Sequence, residues 1–187
     1  MKYFNTAKTL LLSATALFAV SCSNDDNGPV NEEEVITTVT TTLIGGGQVI
    51  TLTSRDLDGE GPNAPTITVS GNLTANTTYA GEVSFLNETV NPAEDITVEV
   101  EEEGVDHQVF YQLPTALGTV AYTDLDLNGK PIGLAFTLTT GNAGTGNLTV
   151  TLRHLPNKSA AGVAAGDITN AGGATDAQVT YPIVITN

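Results

Sequence analysis

Val35-Ile36-Thr37-Thr38-Val39-Thr40-Thr41-Thr42-Leu43-Ile44 is followed by Gly45-Gly46-Gly47 and then by Gln48-Val49-Ile50-Thr51-Leu52-Thr53-Ser54. Two β-branched runs meet at three glycines. Threonine, valine and isoleucine fit a pleated surface, and glycine supplies the left-handed backbone that a tight turn requires. The stretch therefore predicts a β-hairpin and sets the reading of the whole chain.

The same texture continues downstream. Thr66–Ser70 is a weaker candidate strand. In Thr78–Asn87, Tyr79, Gly81, Val83 and Phe85 alternate onto one face. His107–Leu113, Thr119–Thr123, Ile132–Thr140, Asn147–His154 and Gln178–Ile185 complete the set, and Asn128-Gly129 predicts a second hairpin. Short strands with frequent turns predict a mainly β fold: an antiparallel, Ig-like β-sandwich of about eight or nine strands, with an up-and-down β-barrel as the alternative.

One short helix interrupts the pattern. Asn91 can cap it, Pro92 suits its first position, Glu94 sits three residues after the cap and Gly104 can end it. Ala93, Ile96 and Val100 then share a face. A strand is the competing reading, because Ile96, Val98 and Val100 also alternate with polar residues. Pro156–Asp176 is rich in glycine and alanine and reads as a long surface loop, with one helical turn over Ser159–Ala165.

The N-terminus has a different character. Lys2 and Lys8 precede an apolar run, Leu10 to Val20, closed by Ser21 and Cys22, the only cysteine. A basic start, a short apolar core and small residues before a cut describe an export signal. Ala19-Val20-Ser21-Cys22 resembles the lipobox of bacterial lipoproteins, with Ala19 where leucine is usual. The resemblance implies a signal peptide over 1–21 and lipidation of Cys22. The mature chain is then anchored to a membrane rather than spanning it. Residues 22–34 are polar and acidic and read as a flexible tether, leaving 35–187 as a single β domain. Ser23-Asn24-Asp25-Asp26 resembles the acidic signal that follows the cysteine in some surface-exposed Gram-negative lipoproteins.

The chain holds 21 acidic and 6 basic residues, a net charge of −15. Loss of the signal leaves only Arg55, Lys130, Arg153 and Lys158 as bases. Such a surface repels phosphate backbones, so nucleic acid is not an expected partner. With Cys22 lipidated no disulfide can form, and stability rests on packing.

Two acidic loops carry oxygen ligands at calcium-like spacing. Asp124-Leu125-Asp126-Leu127-Asn128-Gly129 matches the first half of a calcium-loop pattern, and Asp56-Leu57-Asp58-Gly59-Glu60-Gly61 is a looser version. The twelfth positions are Ala135 and Ile67, not glutamate, which excludes an EF-hand. Ca2+ held by Asp56, Asp58, Glu60, Asp124, Asp126 and Asn128 would need ligands from elsewhere in the fold. His107 and His154, with Asp106 and Glu103, form an alternative set for a transition metal or haem. Nucleophile elbows, zinc-protease motifs and phosphate loops are absent from the sequence.

Several segments together resemble a family of small, uncharacterised Gram-negative lipoproteins. They are Asp56-Leu57-Asp58-Gly59-Glu60-Gly61-Pro62-Asn63-Ala64-Pro65, Leu86-Asn87-Glu88-Thr89, Asp106-His107-Gln108-Val109-Phe110-Tyr111 and Leu152-Arg153-His154-Leu155-Pro156-Asn157-Lys158. Members often carry the label "type 1 periplasmic binding fold superfamily". That label implies two α/β lobes, whereas the residues here predict strands. The resemblance implies a compartment but no activity. The leading expectation is a non-enzymatic binding or accessory module at the outer membrane, on its periplasmic face or at the cell surface. Next comes a metal- or haem-capturing partner of an outer-membrane transporter, and last a hydrolase with a carboxylate pair.

Overall fold

The opening hairpin forms around its glycines. β1 (Thr38–Gly45) and β2 (Gln48–Arg55) pair antiparallel from Thr38 opposite Arg55 to Gly45 opposite Gln48. Gly46 and Gly47 make the turn at φ 58° and 75°. A two-residue turn with both central φ angles positive matches the twist of the flanking strands, and side chains other than glycine's are strained there. Val39, Thr41 and Leu43 on β1 and Ile50, Leu52 and Ser54 on β2 are buried, as alternation requires.

The computed structural model describes residues 34–59 and 61–187. The expected signal peptide, Cys22 and Glu60 lie outside the described residues, as does the expected tether apart from Glu34. The remaining elements are β3 (Thr66–Val69), β4 (Leu73–Thr74), β5 (Thr78–Asn87), β6 (Glu94–Asp95), α1 (Ile96–Glu102), β7 (His107–Gln112), β8 (Gly118–Tyr122), β9 (Ala135–Thr140), β10 (Gly144–His154) and β11 (Ala174–Thr186). One sheet has seven strands in the order β3-β2-β1-β5-β9-β8, with β6 beside β5. The other has four, β4-β11-β10-β7. Pairing is antiparallel except between β4 and β11. The protein is thus a mainly β, two-sheet sandwich, and the strands do not close into the alternative barrel.

The inner faces of the two sheets supply one core. Leu43, Leu52, Tyr79, Phe85 and Phe136 meet Val109, Leu148, Leu152 and Tyr181. Each such burial is worth about 1.5–3 kcal/mol. The Tyr181 hydroxyl donates to the Val39 carbonyl at 2.8 Å, a polar tie across the sandwich. Gly81 is required beneath the Phe136 ring, because a Cβ there would lie 2.4 Å from it.

Three expectations need correction. The helix begins at Ile96 rather than Pro92. Asp95, not Asn91, caps it by accepting from the Thr97 N–H at 3.1 Å. Asp95 still pairs with Leu86 of β5, so the chain is extended up to the cap and Ala93 is exposed. The Asn128-Gly129 turn does lie in the connection between the antiparallel pair β8 and β9, but it closes no tight hairpin: β8 stops at Tyr122 and β9 starts at Ala135. Carboxylates take the N–H groups a ladder would use. Asp126 Oδ1 accepts from the Asn128 and Lys130 N–H groups, and Asp124 accepts from Gly133 and Ala135. Finally, the Pro156–Asp176 stretch is not simply a surface connection. Its 3-10 turns, Val163–Ala165 and Ile168–Asn170, place Val163 and Ala171 against Phe110 on the outer face of β7.

Candidate metal centre

β7 and β10 pair antiparallel, and His107 lies directly opposite His154. Alternation gives His107 the parity of Val109 and Tyr111, and His154 that of Val150 and Leu152. Both imidazoles therefore face the inter-sheet space at the end of the sandwich. Their rings stack with centroids 4.8 Å apart and planes 14° apart.

A bulge adds a carboxylate. The β10–β11 register passes from Leu152 opposite Ala177 to Arg153 opposite Thr175, leaving Asp176 as the extra residue. Bulges re-aim side chains, and this one puts Asp176 Oδ2 3.9 Å from His107 Nε2. Glu34, on the approach to β1, brings Oε1 to 3.1 Å from the same nitrogen. The His107 side chain is fully buried, and those of Asp176 and Glu34 are only 1% and 8% exposed. Four separate segments thus meet at one point.

Burial opposes charge on His107. Glu34, the Glu103 carbonyl and Asp176 outweigh it, so the imidazole titrates above the ordinary histidine range. Nδ1 lies 3.2 Å from the Glu103 carbonyl. In the neutral ring, a proton on Nδ1 donating to that carbonyl leaves Nε2 as the bare lone pair. The Glu34 oxygen is close to Nε2 but not in line for a hydrogen bond. His107 Nε2, His154 Nδ1 and Glu34 Oε2 are all buried without a hydrogen-bond partner. Each such group costs about 1–3 kcal/mol if left so, a cost that a cation held by the two histidines would offset at the imidazoles.

The ligand atoms of His107, His154 and Asp176 lie within 4.8 Å of one another, as do those of Glu34, Glu103 and His107. Neighbouring ligands of a tetrahedral zinc ion stand about 3.3 Å apart. Side-chain rotation that unstacks the rings would close the difference. Imidazole nitrogens with carboxylate oxygens suit zinc, nickel, copper or iron; calcium prefers all-oxygen sites. As they stand, the two stacked rings face one another directly and leave no gap for a haem macrocycle between them. Asp176 also lines a cavity of about 220 Å³, shared with Ile36, Asp56, Pro65 and Val179.

Of the other expected ligands, Glu103 is exposed but stays in reach of His107 and Glu34. The rest are placed elsewhere or are already engaged. Asp106 is exposed and contributes backbone bonds only. Both oxygens of Asp124 accept backbone N–H groups, and Asn128 serves Asp126 through its own N–H. Asp126 Oδ2 receives the Lys158 ammonium at 2.9 Å; the same ammonium donates to the Gly104 and Pro131 carbonyls. A lysine thus sits where the calcium reading needs an ion. Asp56 Oδ1 accepts from the Gly59 N–H, and Asp58 Oδ2 accepts from the Asn63 side chain at 2.7 Å. The Asn63 amide holds the exposed Asp58 carboxyl below its usual range.

Sequence reasoning found both histidines but missed Asp176 and Glu34. Asp176 sits just ahead of a run of alternating strand residues, which is a weak signal, and the bulge that turns it inward has none.

Comparison with known proteins found no matching family model, no matching curated protein and no matching solved structure. No helix among the described residues is long and apolar enough to cross a membrane.

Proposed function

We propose that this chain is a non-enzymatic lipoprotein, tethered to the outer membrane through Cys22, that binds a first-row transition-metal ion with His107, His154 and Asp176. One observation carries the reading: a cross-strand histidine pair and a bulged aspartate converge around the buried His107, with ligand atoms within 4.8 Å of one another. The location rests on the lipobox-like sequence. The metal class rests on mixed nitrogen and oxygen donors, which favour zinc, nickel or copper over calcium. A tethered ion of this kind suits delivery to, or scavenging for, an outer-membrane transporter.

The test is thermal unfolding of the metal-stripped full chain with Zn2+, Ni2+, Cu2+ or Ca2+. An ion that binds only the folded state adds about 2.7 kcal/mol at a hundredfold excess over its Kd. A transition-metal shift is expected in the parent and is lost in His154→Ala and in Asp176→Asn. No shift with any transition metal, or an undiminished shift in both variants, would sink the proposal. A Ca2+ shift lost in Asp56→Ala would restore the acidic-loop reading.

A further inference from the structure

The segment between β8 and β9 presents two leucines to solvent. Leu127 is 95% exposed and Leu125 65%. Single exposed leucines are ordinary, but these two adjoin Val105, 39% exposed, around a hollow of about 330 Å³ floored by Ile132. Glu101 and Glu102 of α1 line the same hollow.

The segment is braced from within. Asp124 takes the Gly133 and Ala135 N–H groups, Asp126 takes those of Asn128 and Lys130, and the Asp126 N–H bonds the Lys130 carbonyl at 2.7 Å. Lys158 then ties Asp126 and Pro131 to Gly104 at the foot of α1. A braced loop that displays apolar side chains loses little conformational entropy when it is covered. Lys158 also spends its charge on Asp126. Among the described residues, Glu101 and Glu102 have no salt bridge, so the rim stays negative.

We infer that the Leu125–Leu127 loop and the adjacent hollow dock a cationic segment of a partner protein. One apolar side chain of that segment enters the hollow, and flanking Lys or Arg residues meet Glu101 and Glu102. A small molecule in the hollow would touch Leu127, which lines it, but would leave most of that 95% exposed side chain uncovered. An anionic lipid surface would be repelled by the two glutamates and by the chain's net charge of −15. The inference stands independently of the metal site.

The test titrates the full chain into short fluorescent peptides, one alternating Lys and Leu, one Lys and Ser, one Glu and Leu. A chain this acidic attracts any polycation, so the leucine variants read the specific part. The Lys–Leu peptide is expected to bind about tenfold more weakly to the Leu125→Ser/Leu127→Ser variant, the loss expected from uncovering a leucine. Binding weakens likewise in Glu101→Lys/Glu102→Lys and is unchanged in Val49→Ser, an exposed control on β2. Circular dichroism confirms that each variant is folded. Four outcomes would overturn the inference: no Lys–Leu binding, equal binding of the Lys–Ser peptide, undiminished affinity in the leucine variant, or preference for the Glu–Leu peptide. Leucine-dependent binding to phosphatidylglycerol vesicles would also overturn it, in favour of a membrane-seated loop.

Discussion

Lys158 shows how one residue can change the meaning of a motif. Its side chain is 6% exposed, and its ammonium rests among the Asp126 carboxylate and two backbone carbonyls. Asp124 to Asn128 has the letters of a calcium loop, yet this cage of oxygens already holds a cation. Sequence spacing shows the oxygens. It cannot show that a lysine thirty-odd positions away folds back among them. Replacing Lys158 by Met removes the cation and leaves Asp126 as a buried charge without its partner. Breaking such a pair costs about 3–5 kcal/mol. Urea unfolding of Lys158→Met is expected to show a loss of that order, with Asp126→Asn/Lys158→Met recovering part of it.

The long strands were legible in the sequence where apolar residues alternate, although the same alternation over Ile96–Val100 belongs to helix α1. Tyr79, Gly81, Val83 and Phe85 face inward from β5, as their spacing demands, and the glycine turn after β1 falls where expected. Boundaries failed where a side chain outcompeted the backbone ladder, as Asp124 and Asp126 do between β8 and β9. The outer face of β7 was also illegible, because Gln108 and Phe110 look like solvent-side positions in a half-buried strand. Both are buried: Gln108 Nε2 donates to the Val163 carbonyl at 2.9 Å, and Phe110 packs on Val163 and Ala171. Truncating a buried phenylalanine costs about 3–5 kcal/mol. In Phe110→Ala, hydrogen exchange is expected to accelerate first across Val163–Asn170, while β1 and β5 keep their protection. Equal acceleration throughout would mean that the covering segment has no stability of its own to lose.

The molecule as a whole carries two opposed responses to acid. Neutralising carboxylates on a chain of net charge −15 relieves self-repulsion and stabilises it. Particular carboxylates act the other way. The Arg55 guanidinium and the Thr38 hydroxyl hold the Glu88 carboxyl down to about 2. Burial pushes Asp126 up, but Lys158 and the Lys130 and Asn128 N–H groups pull harder, so it titrates below its ordinary range. A depressed folded value means stabilisation that is present above the unfolded value, near 4, and lost as pH falls through the folded one. Urea midpoints followed from about pH 7 down to pH 2 are expected to rise first and then fall. In Asp126→Asn the final fall should be shallower; an identical descent would remove Asp126 from the account.

β1 lies between β2 and β5, bonded along its length on both sides, and the chain passes Glu34 shortly before it enters the strand. Tension arriving from the N-terminal side would run along that strand. The rungs on either side would then be loaded together, in shear, instead of being peeled open one after another. In mechanical terms, a domain held from that end is gripped by an inner strand of its larger sheet, beside the point where His107 meets Glu34.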